Sequence, residues 1–230
     1  MKIKVVQMVY GKLLQPDSWF QYVEKINRLY CNIHGYEYVV VRYENIREDR
    51  HGNWMKVDAI RDNLSACDYL LSLEADCAVY CHSIALEEDV IPHLQPGKSV
   101  LTTNNNLCSA FYNEGQSAVW SMLFRNDHMV RKIIEAWDTA HQAEGYEQFA
   151  FSRCYDEDGW RRYVVPLYKD SIQTLDDYYL LTAINGYFIR HLALTHDELR
   201  LHEFKRMWES PMMQRNISLL RNKQLRGFSS

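Results

Sequence analysis

Two carboxylates, Glu74 and Asp76, stand one residue apart directly after the apolar run Tyr69–Leu73. Such a run is typical of a strand that is buried on both faces in a parallel sheet. Side chains at positions i and i+2 of a strand lie on the same side, so both carboxylates can converge on one ion. Ligands bind outside the carboxyl ends of strands in open α/β sheets. The pattern therefore predicts a site for Mg²⁺ or Mn²⁺ that holds a diphosphate, with a solvated strand end as the alternative.

Two further segments carry residues suited to an anionic ligand. Lys56 follows Trp54 at the predicted start of a helix, where the backbone N–H groups already favour phosphate. Asn113 and Gly115 precede a predicted strand, and glycine permits a close approach of the backbone to a ligand. Lys56 could equally be a surface lysine beside a core tryptophan, and Asn113 and Gly115 could form an ordinary turn. Both interpretations stay open for each segment.

Glu147 and Gln148 place a carboxylate beside an amide at the predicted start of another helix. Such a pair can hold a hydroxyl group and stabilise positive charge at a reacting carbon, although a solvated helix face is equally consistent with the spacing. His191 and His196 flank the end of the last predicted strand. Imidazole ligates metals when it is neutral and contacts phosphate when it is protonated, but a single histidine is more often structural.

Length and composition limit the class of protein. A chain of 230 residues with 47% apolar residues is long enough for one globular domain with its own core. Its net charge of −4 provides no electrostatic footprint for nucleic acid. The six cysteines contain no Cys-x-x-Cys pair, and no stretch approaches the roughly 20 apolar residues of a membrane span. We expect a cytoplasmic protein with reduced cysteines, no nucleic-acid partner and no membrane span.

The elements that position these residues follow a βαβαβ order in the first third of the chain, which predicts parallel strands with right-handed crossovers. The predicted strands are 3–10, 36–43, 69–73, 99–103, 118–124, 163–167 and 187–192, and the predicted helices begin near residues 18, 55, 86, 127 and 146. The fold class is therefore α/β. The simplest division of the chain has one domain over residues 1–196. A helical segment over residues 197–230 then packs on the domain or extends from it.

The order of the motifs resembles a family that contains the yeast-type α-galactosyl- and α-mannosyltransferases and the plant xyloglucan xylosyltransferases. The resemblance covers roughly residues 1–196. Each motif alone has low specificity, so the resemblance rests on the shared order of the motifs. The motifs are His34-Gly35-Tyr36, Trp54 with Lys56, Glu74-Ala75-Asp76, Asn113 with Gly115, Arg125-Asn126 with Trp137, Glu147-Gln148, and His191.

The resemblance implies a GT-A fold, that is, a Rossmann-type mixed sheet flanked by helices. It also implies a glycosyltransferase that moves a sugar, with retention, from a nucleotide diphosphate sugar to a hydroxyl group of a glycan or small molecule. The implied metal ligands for Mn²⁺ or Mg²⁺ are Glu74, Asp76 and His191, and the implied catalytic residues in the sugar site are Glu147 and Gln148. The implied donor-binding residues are Gln7, Val9, Tyr10, Trp54, Lys56, Asn113, Gly115 and His196.

The sequence departs from the family pattern at the metal motif, where Glu74 replaces an aspartate. A longer side chain shifts the ion or leaves the carboxylate outside its coordination sphere, so metal dependence stays open. The membrane anchor usual in eukaryotic members is not seen, which suggests a bacterial or viral relative. Two alternatives stay open: a non-catalytic relative that binds sugar nucleotides, and a sugar nucleotidyltransferase. The second is less favoured because residues 9–14 contain one glycine and no glycine-rich loop.

Overall fold

The computed structural model describes residues 1–104, 117–142, 145–157, 159–167, 173–175, 188–192 and 196–227. Its strands are β1 Ile3–Tyr10, β2 Glu37–Tyr43, β3 Tyr69–Leu73, β4 Cys77–Val79, β5 Val100–Asn104, β6 Ser117–Arg125, β7 Val164–Leu167, β8 Gln173–Leu175 and β9 Ile189–His191. Its α-helices are α1 Phe20–His34, α2 Met55–Leu64, α3 His128–Thr139, α4 Glu147–Glu157, α5 Asp197–Trp208 and α6 Pro211–Gly227.

Six strands form the main sheet in the order β2-β1-β3-β6-β5-β7. The first three are parallel, as the βαβαβ order predicted, while β6 runs antiparallel to both β3 and β5. A small second sheet has the order β4-β9-β8. The predicted α/β class, a mixed sheet flanked by helices, is confirmed.

The sequence signals at two helix ends act as expected. Gly35 ends α1 with a φ of 75°, a left-handed conformation that glycine adopts at little cost, and its N–H donates to the Cys31 carbonyl. Asp127 begins α3 by accepting hydrogen bonds from the N–H groups of Met129 and Val130 at 2.9 Å each.

The helix predicted near residue 86 is instead a π-helical turn, Leu86–Val90, followed by a 3₁₀ turn, Ile91–His93. Pro92 has no backbone N–H and prevents a regular helix there. The strands β4 and β8 were not predicted, because each has three residues and is too short to show alternation.

Alternate residues of β1 supply cores on both faces of the main sheet. Val6 and Met8 pack with residues of α2, α3 and α4 on one face. Val9 packs on the other face with Trp19 and with Phe204, which comes from α5. Residues 197–213 thus share a core with the first helix and strand, and the division of the chain at residue 196 stays a prediction. No helix among the described residues is both long and apolar enough to cross a membrane.

Candidate functional site

The two carboxylates lie in a tight turn at the carboxyl end of β3. Glu74 donates its N–H to the Trp120 carbonyl at 2.9 Å, and Cys77 donates its N–H to the Glu74 carbonyl at 3.0 Å. The chain therefore leaves the main sheet at Glu74, passes through Asp76 and enters β4. This turn holds both side chains at the sheet edge where ligands bind in open α/β folds.

The buried side-chain amides of Gln7 and Asn27 hold this turn in place by hydrogen bonds. The Gln7 side chain donates to the Glu74 carbonyl at 2.6 Å and to the Cys77 carbonyl at 3.1 Å. Its own oxygen accepts from the Asn27 amide and the Tyr38 hydroxyl. Gln7 is fully buried, so the direct contact with a base that the resemblance implied does not fit. Its amide positions the turn instead.

Pairing of β4 with β9 brings His191 to the carboxylates. Cys77 lies opposite His191 in this antiparallel pair, although the two are far apart in sequence. His191 Nε2 is 3.1 Å from Asp76 Oδ1 and 3.8 Å from Glu74 Oε2. The structure therefore brings the three predicted metal ligands together.

Lys56 connects the predicted metal site to the predicted sugar site. It is buried at the start of α2, and its ammonium group pairs with Glu74 and lies 3.0 Å from Glu147 Oε1. Trp54 is also fully buried and donates its indole N–H to the Gly145 carbonyl at 3.3 Å. A direct contact between Trp54 and a donor does not fit this burial. Its ring is part of the core and anchors the segment that precedes Glu147.

Burial and the neighbouring charges shift the pKa values of this network in opposing directions: the charged forms of Lys56 and Asp76 are favoured, whereas the charged form of Glu74 is disfavoured. Burial would lower the pKa of Lys56, but the carboxylates of Glu147 and Glu74 raise it above its ordinary value. Burial raises the pKa of Glu74, and the charge of Lys56 offsets only part of that effect. Burial would likewise raise the pKa of Asp76, but His191 and a guanidinium described next hold it below its ordinary value.

Arg200 enters the site from α5 and was not predicted. Its guanidinium lies 3.0 Å from Asp76 Oδ2, donates through Nε to the Leu192 carbonyl at 2.9 Å, and stacks over the Trp19 ring. His196, which the resemblance placed near the diphosphate, is exposed at the position preceding α5. Arg200 lies one helical turn after His196. The only feature of the sequence that could have indicated Arg200 as a site residue is its position after the last strand.

The donor set fits a hard divalent cation. Glu74 Oε1 and Asp76 Oδ2 face Lys56 and Arg200, while His191 Nε2 lies near both Glu74 Oε2 and Asp76 Oδ1. Two carboxylate oxygens and an imidazole suit Mn²⁺ or Mg²⁺. Cys77 also lies within reach of Asp76 and His191, but burial and the nearby carboxylates raise the pKa of its thiol and disfavour the thiolate.

An open pocket of about 280 Å³ lies next to these groups. Among its walls are Val9 and Tyr10 from the end of β1, Asn53, both carboxylates and Arg200. Tyr10 is half-buried, and its hydroxyl donates to Asn53 Oδ1 at 2.9 Å. The predicted donor-binding residues Val9 and Tyr10 thus line a cavity at the same sheet edge as the predicted metal ligands.

Glu147 and Gln148 are both buried at the start of α4. Trp137 fixes the first of them by donating its indole N–H to the Glu147 carbonyl at 2.7 Å. Within the described part of the chain, Glu147 Oε2 and Gln148 Nε2 have no hydrogen-bond partner. Buried polar atoms of this kind mark a place where a ligand or water completes the hydrogen bonding. Asn113 and Gly115 lie outside the described residues.

Comparison with solved structures identifies the fold. A glycosyltransferase involved in the glycosylation of the major capsid of PBCV-1 superposes with a TM-score of 0.65 at 11% identity, over 89% of this chain and 99% of that chain. The bifunctional glycosyltransferase WbbM superposes with a TM-score of 0.58 at 10% identity, over 94% of this chain and 51% of that chain.

At the sequence level, no family model and no curated protein matches the chain. The resemblance to the yeast and plant family stays a prediction. At this level of identity the likeness concerns the fold alone. The chain has a glycosyltransferase fold, which confirms the predicted GT-A-like fold class.

Proposed function

We propose that the chain is a glycosyltransferase that moves a sugar from a nucleotide diphosphate sugar to a hydroxyl acceptor with retention of configuration. The observation that carries this proposal is that His191 Nε2 lies 3.1 Å from Asp76 Oδ1 and 3.8 Å from Glu74 Oε2, beside an open pocket lined by both carboxylates. The glycosyltransferase fold and the motif order that resembles a retaining family support it.

In this proposal the side chains of Glu74, Asp76 and His191 would hold Mn²⁺ or Mg²⁺. When bound, the ion would neutralise negative charge on the diphosphate leaving group. Arg200 supplies a fixed positive charge next to Asp76, at the mouth where the diphosphate would lie. Tyr10 forms the wall available to the nucleoside, since the neighbouring Val9 is fully buried, and Lys56 holds Glu74 and Glu147 at a constant separation.

Retention follows from a same-face substitution. The bond between the anomeric carbon and the diphosphate oxygen breaks, the acceptor oxygen forms the new bond, and the departing oxygen takes the acceptor's proton. This route needs no strong general base in the protein. Glu147 Oε2 and Gln148 Nε2 would bond sugar hydroxyls and stabilise positive charge at the anomeric carbon.

Asp76→Asn tests the proposal because it removes the metal-facing charge and keeps the side-chain shape. We expect wild-type protein to hydrolyse or transfer a nucleotide sugar in the presence of Mn²⁺, and the variant to lose at least about 100-fold in rate, on the order of 3 kcal/mol. Melting curves establish that the variant is folded. Asp62→Asn, at an exposed position of α2, is the matched control. Full activity of Asp76→Asn would refute the metal assignment.

A second candidate is a non-catalytic protein that binds sugar nucleotides without metal. The pairing of Lys56 with Glu74 and of Arg200 with Asp76 favours it, because both carboxylates already have a cationic partner. Titration of uridine and guanosine diphosphate with and without Mn²⁺, followed by melting temperature, separates the two candidates. Stabilisation that is independent of Mn²⁺, with no turnover of any donor, would support the second.

A further inference from the structure

Two aromatic side chains are exposed at the start of α4, one on each side of Glu147 and Gln148 in the sequence. Tyr146 is 48% exposed and Phe149 is 39% exposed. Their rings meet edge to face with centroids 6.2 Å apart. Aromatic side chains usually bury most of their area, so a pair of exposed rings beside a ligand site indicates a binding surface.

The exposed rings are continuous with the wall of the pocket. The His51 ring lies 4.9 Å from the Tyr146 ring, and His51 Nδ1 accepts from the Asn53 N–H at 3.3 Å. Asn53 in turn accepts from the Tyr10 hydroxyl, and both Asn53 and Tyr10 line the pocket. A path of direct contacts therefore runs from the proposed nucleoside wall to Tyr146.

The loop that carries His51 is held in place from both sides. The side chain of Arg50 is 2% exposed and pairs with Asp138 at the end of α3. Gly52 lies so close to Tyr10 that a Cβ there would be 2.8 Å from the ring, and it would be 3.1 Å from Ile46. The exposed side chains of this region are therefore preorganised, which lowers the entropic cost of binding.

We propose that His51, Tyr146 and Phe149 form a platform that binds a pyranose ring of a glycan acceptor. This inference rests on the proposed function and deepens it, because it assigns the acceptor to carbohydrates rather than to other hydroxyl compounds. The apolar face of a pyranose stacks on an aromatic ring, while the adjacent carboxylate and amide bond hydroxyls.

The size of the platform argues against a protein partner. A stable protein interface buries about 800 Å² on each side and involves some 20 residues or more. The platform consists of three side chains, and Glu147 and Gln148, which directly follow Tyr146, carry buried polar atoms that lack partners in the described part of the chain. Those features suit one or two sugar rings.

Binding of soluble oligosaccharides tests the platform directly and does not require turnover. The probes are oligosaccharides of glucose, galactose, mannose and N-acetylglucosamine, with sorbitol as an open-chain polyol, measured by saturation-transfer NMR and calorimetry. We expect at least one oligosaccharide to bind and sorbitol to fail. Tyr146→Ala should raise the Kd of that oligosaccharide about tenfold, whereas Tyr146→Phe keeps it within about twofold.

Leu219→Ala is the control, because Leu219 is also exposed, at 57%, but lies on α6, and this variant should bind as wild type does. Equal affinity of Tyr146→Ala and wild type overturns the platform, as does a wild-type protein that binds no oligosaccharide. Self-association of wild type that disappears in Tyr146→Ala, without glycan binding, overturns it in favour of a protein contact.

A parallel titration with Mn²⁺ and uridine or guanosine diphosphate separates this inference from the proposed function. Glycan binding that depends on Tyr146, together with no nucleotide binding, refutes the transferase and keeps the platform as a glycan site. Nucleotide binding with glycan affinity that does not depend on Tyr146 refutes the platform and keeps the transferase.

Discussion

Lys56 is the residue on which the electrostatics of the site depends. A buried lysine is rare unless it is paired, and this one has two carboxylate partners from different elements. Glu74 follows β3 and Glu147 begins α4, so one ammonium group holds the proposed metal site and sugar site together. The cost of burying three charges is offset only while all three partners are present.

Replacing Lys56 by Met therefore leaves the buried Glu147 and the partly buried Glu74 without their cation. We expect the free energy of unfolding to fall by about 3–5 kcal/mol at neutral pH, measured by urea denaturation. Lys132→Met, at an exposed position of α3, is the matched control and should change stability by less than about 0.5 kcal/mol. A loss below about 1 kcal/mol for Lys56→Met would show that the pairing has little energetic weight.

His82 makes the stability of the molecule depend on pH. Burial lowers the pKa of His82 from about 6.5 to about 4, and its Nε2 lies 3.1 Å from the Val79 carbonyl. The folded state therefore favours the neutral ring, while the unfolded chain takes up a proton below about pH 6.5. The stability gained from His82 is complete above that pH and is lost as the pH falls towards 4.

Between pH 7.5 and pH 5 this difference amounts to about 2 kcal/mol of unfolding free energy. We expect His82→Gln to remove that component, so that the variant loses about 2 kcal/mol less than wild type over the same interval. Urea denaturation at the two pH values measures both losses. Identical losses in the two proteins would mean that His82 does not titrate differently on unfolding.

At the scale of elements, the turn between β3 and β4 is the feature that creates the site. It depends on Asn27 of α1, which is fully buried. The Asn27 side chain donates to the Cys77 carbonyl at 2.9 Å and accepts from the Val79 N–H at 2.7 Å. One amide thus satisfies a carbonyl and an N–H of the short strand β4, whose partner β9 carries His191.

Asn27→Ala should both destabilise the protein and weaken the site. It leaves the buried Val79 N–H without its acceptor, while the Cys77 carbonyl keeps the hydrogen bond from Gln7, so we expect a loss of about 1–3 kcal/mol in unfolding free energy. We also expect weaker Mn²⁺-dependent nucleotide binding, because β4 no longer holds β9 in register. Asn32→Ala, exposed on the same helix, is the control. A destabilised variant that keeps wild-type nucleotide affinity would contradict the positioning role of β4.

At the scale of the whole molecule, the last two helices belong to the core that supports the site. Phe204 is fully buried, and its ring stacks against Trp19 with centroids 5.7 Å apart. Arg200 precedes it by one turn of α5 and contacts Asp76. Stability and ligand binding are therefore coupled through the same helix.

Phe204→Ala should cost about 3–5 kcal/mol in unfolding free energy and weaken nucleotide binding through Arg200. Leu201→Ala, at an exposed position of the same helix, should cost less than about 1 kcal/mol. Expression of residues 1–196 alone complements this test, and we expect that fragment not to fold cooperatively. A stable fragment 1–196 that binds nucleotide would instead support an independent domain ending at residue 196.

Local sequence determined most of the elements. The bounds of β1 and β3 agree with the predicted apolar runs. The helix start at Asp127 and the helix end at Gly35 could also be predicted, because capping and hydrophobic periodicity act within a few residues. The same local pattern identified Glu74 and Asp76 at a strand end, and the resemblance added His191 to them.

The tertiary structure alone decided which groups meet and which are enclosed. Asp76 and Arg200 are 124 residues apart, and their contact depends on where α5 packs, which no local pattern specifies. The enclosure of Gln7 and Trp54 likewise depends on the elements packed around them, so residues predicted to touch a ligand are buried supports. Periodicity fixes the face a side chain occupies within its element, whereas burial and pairing are set by packing between elements distant in sequence.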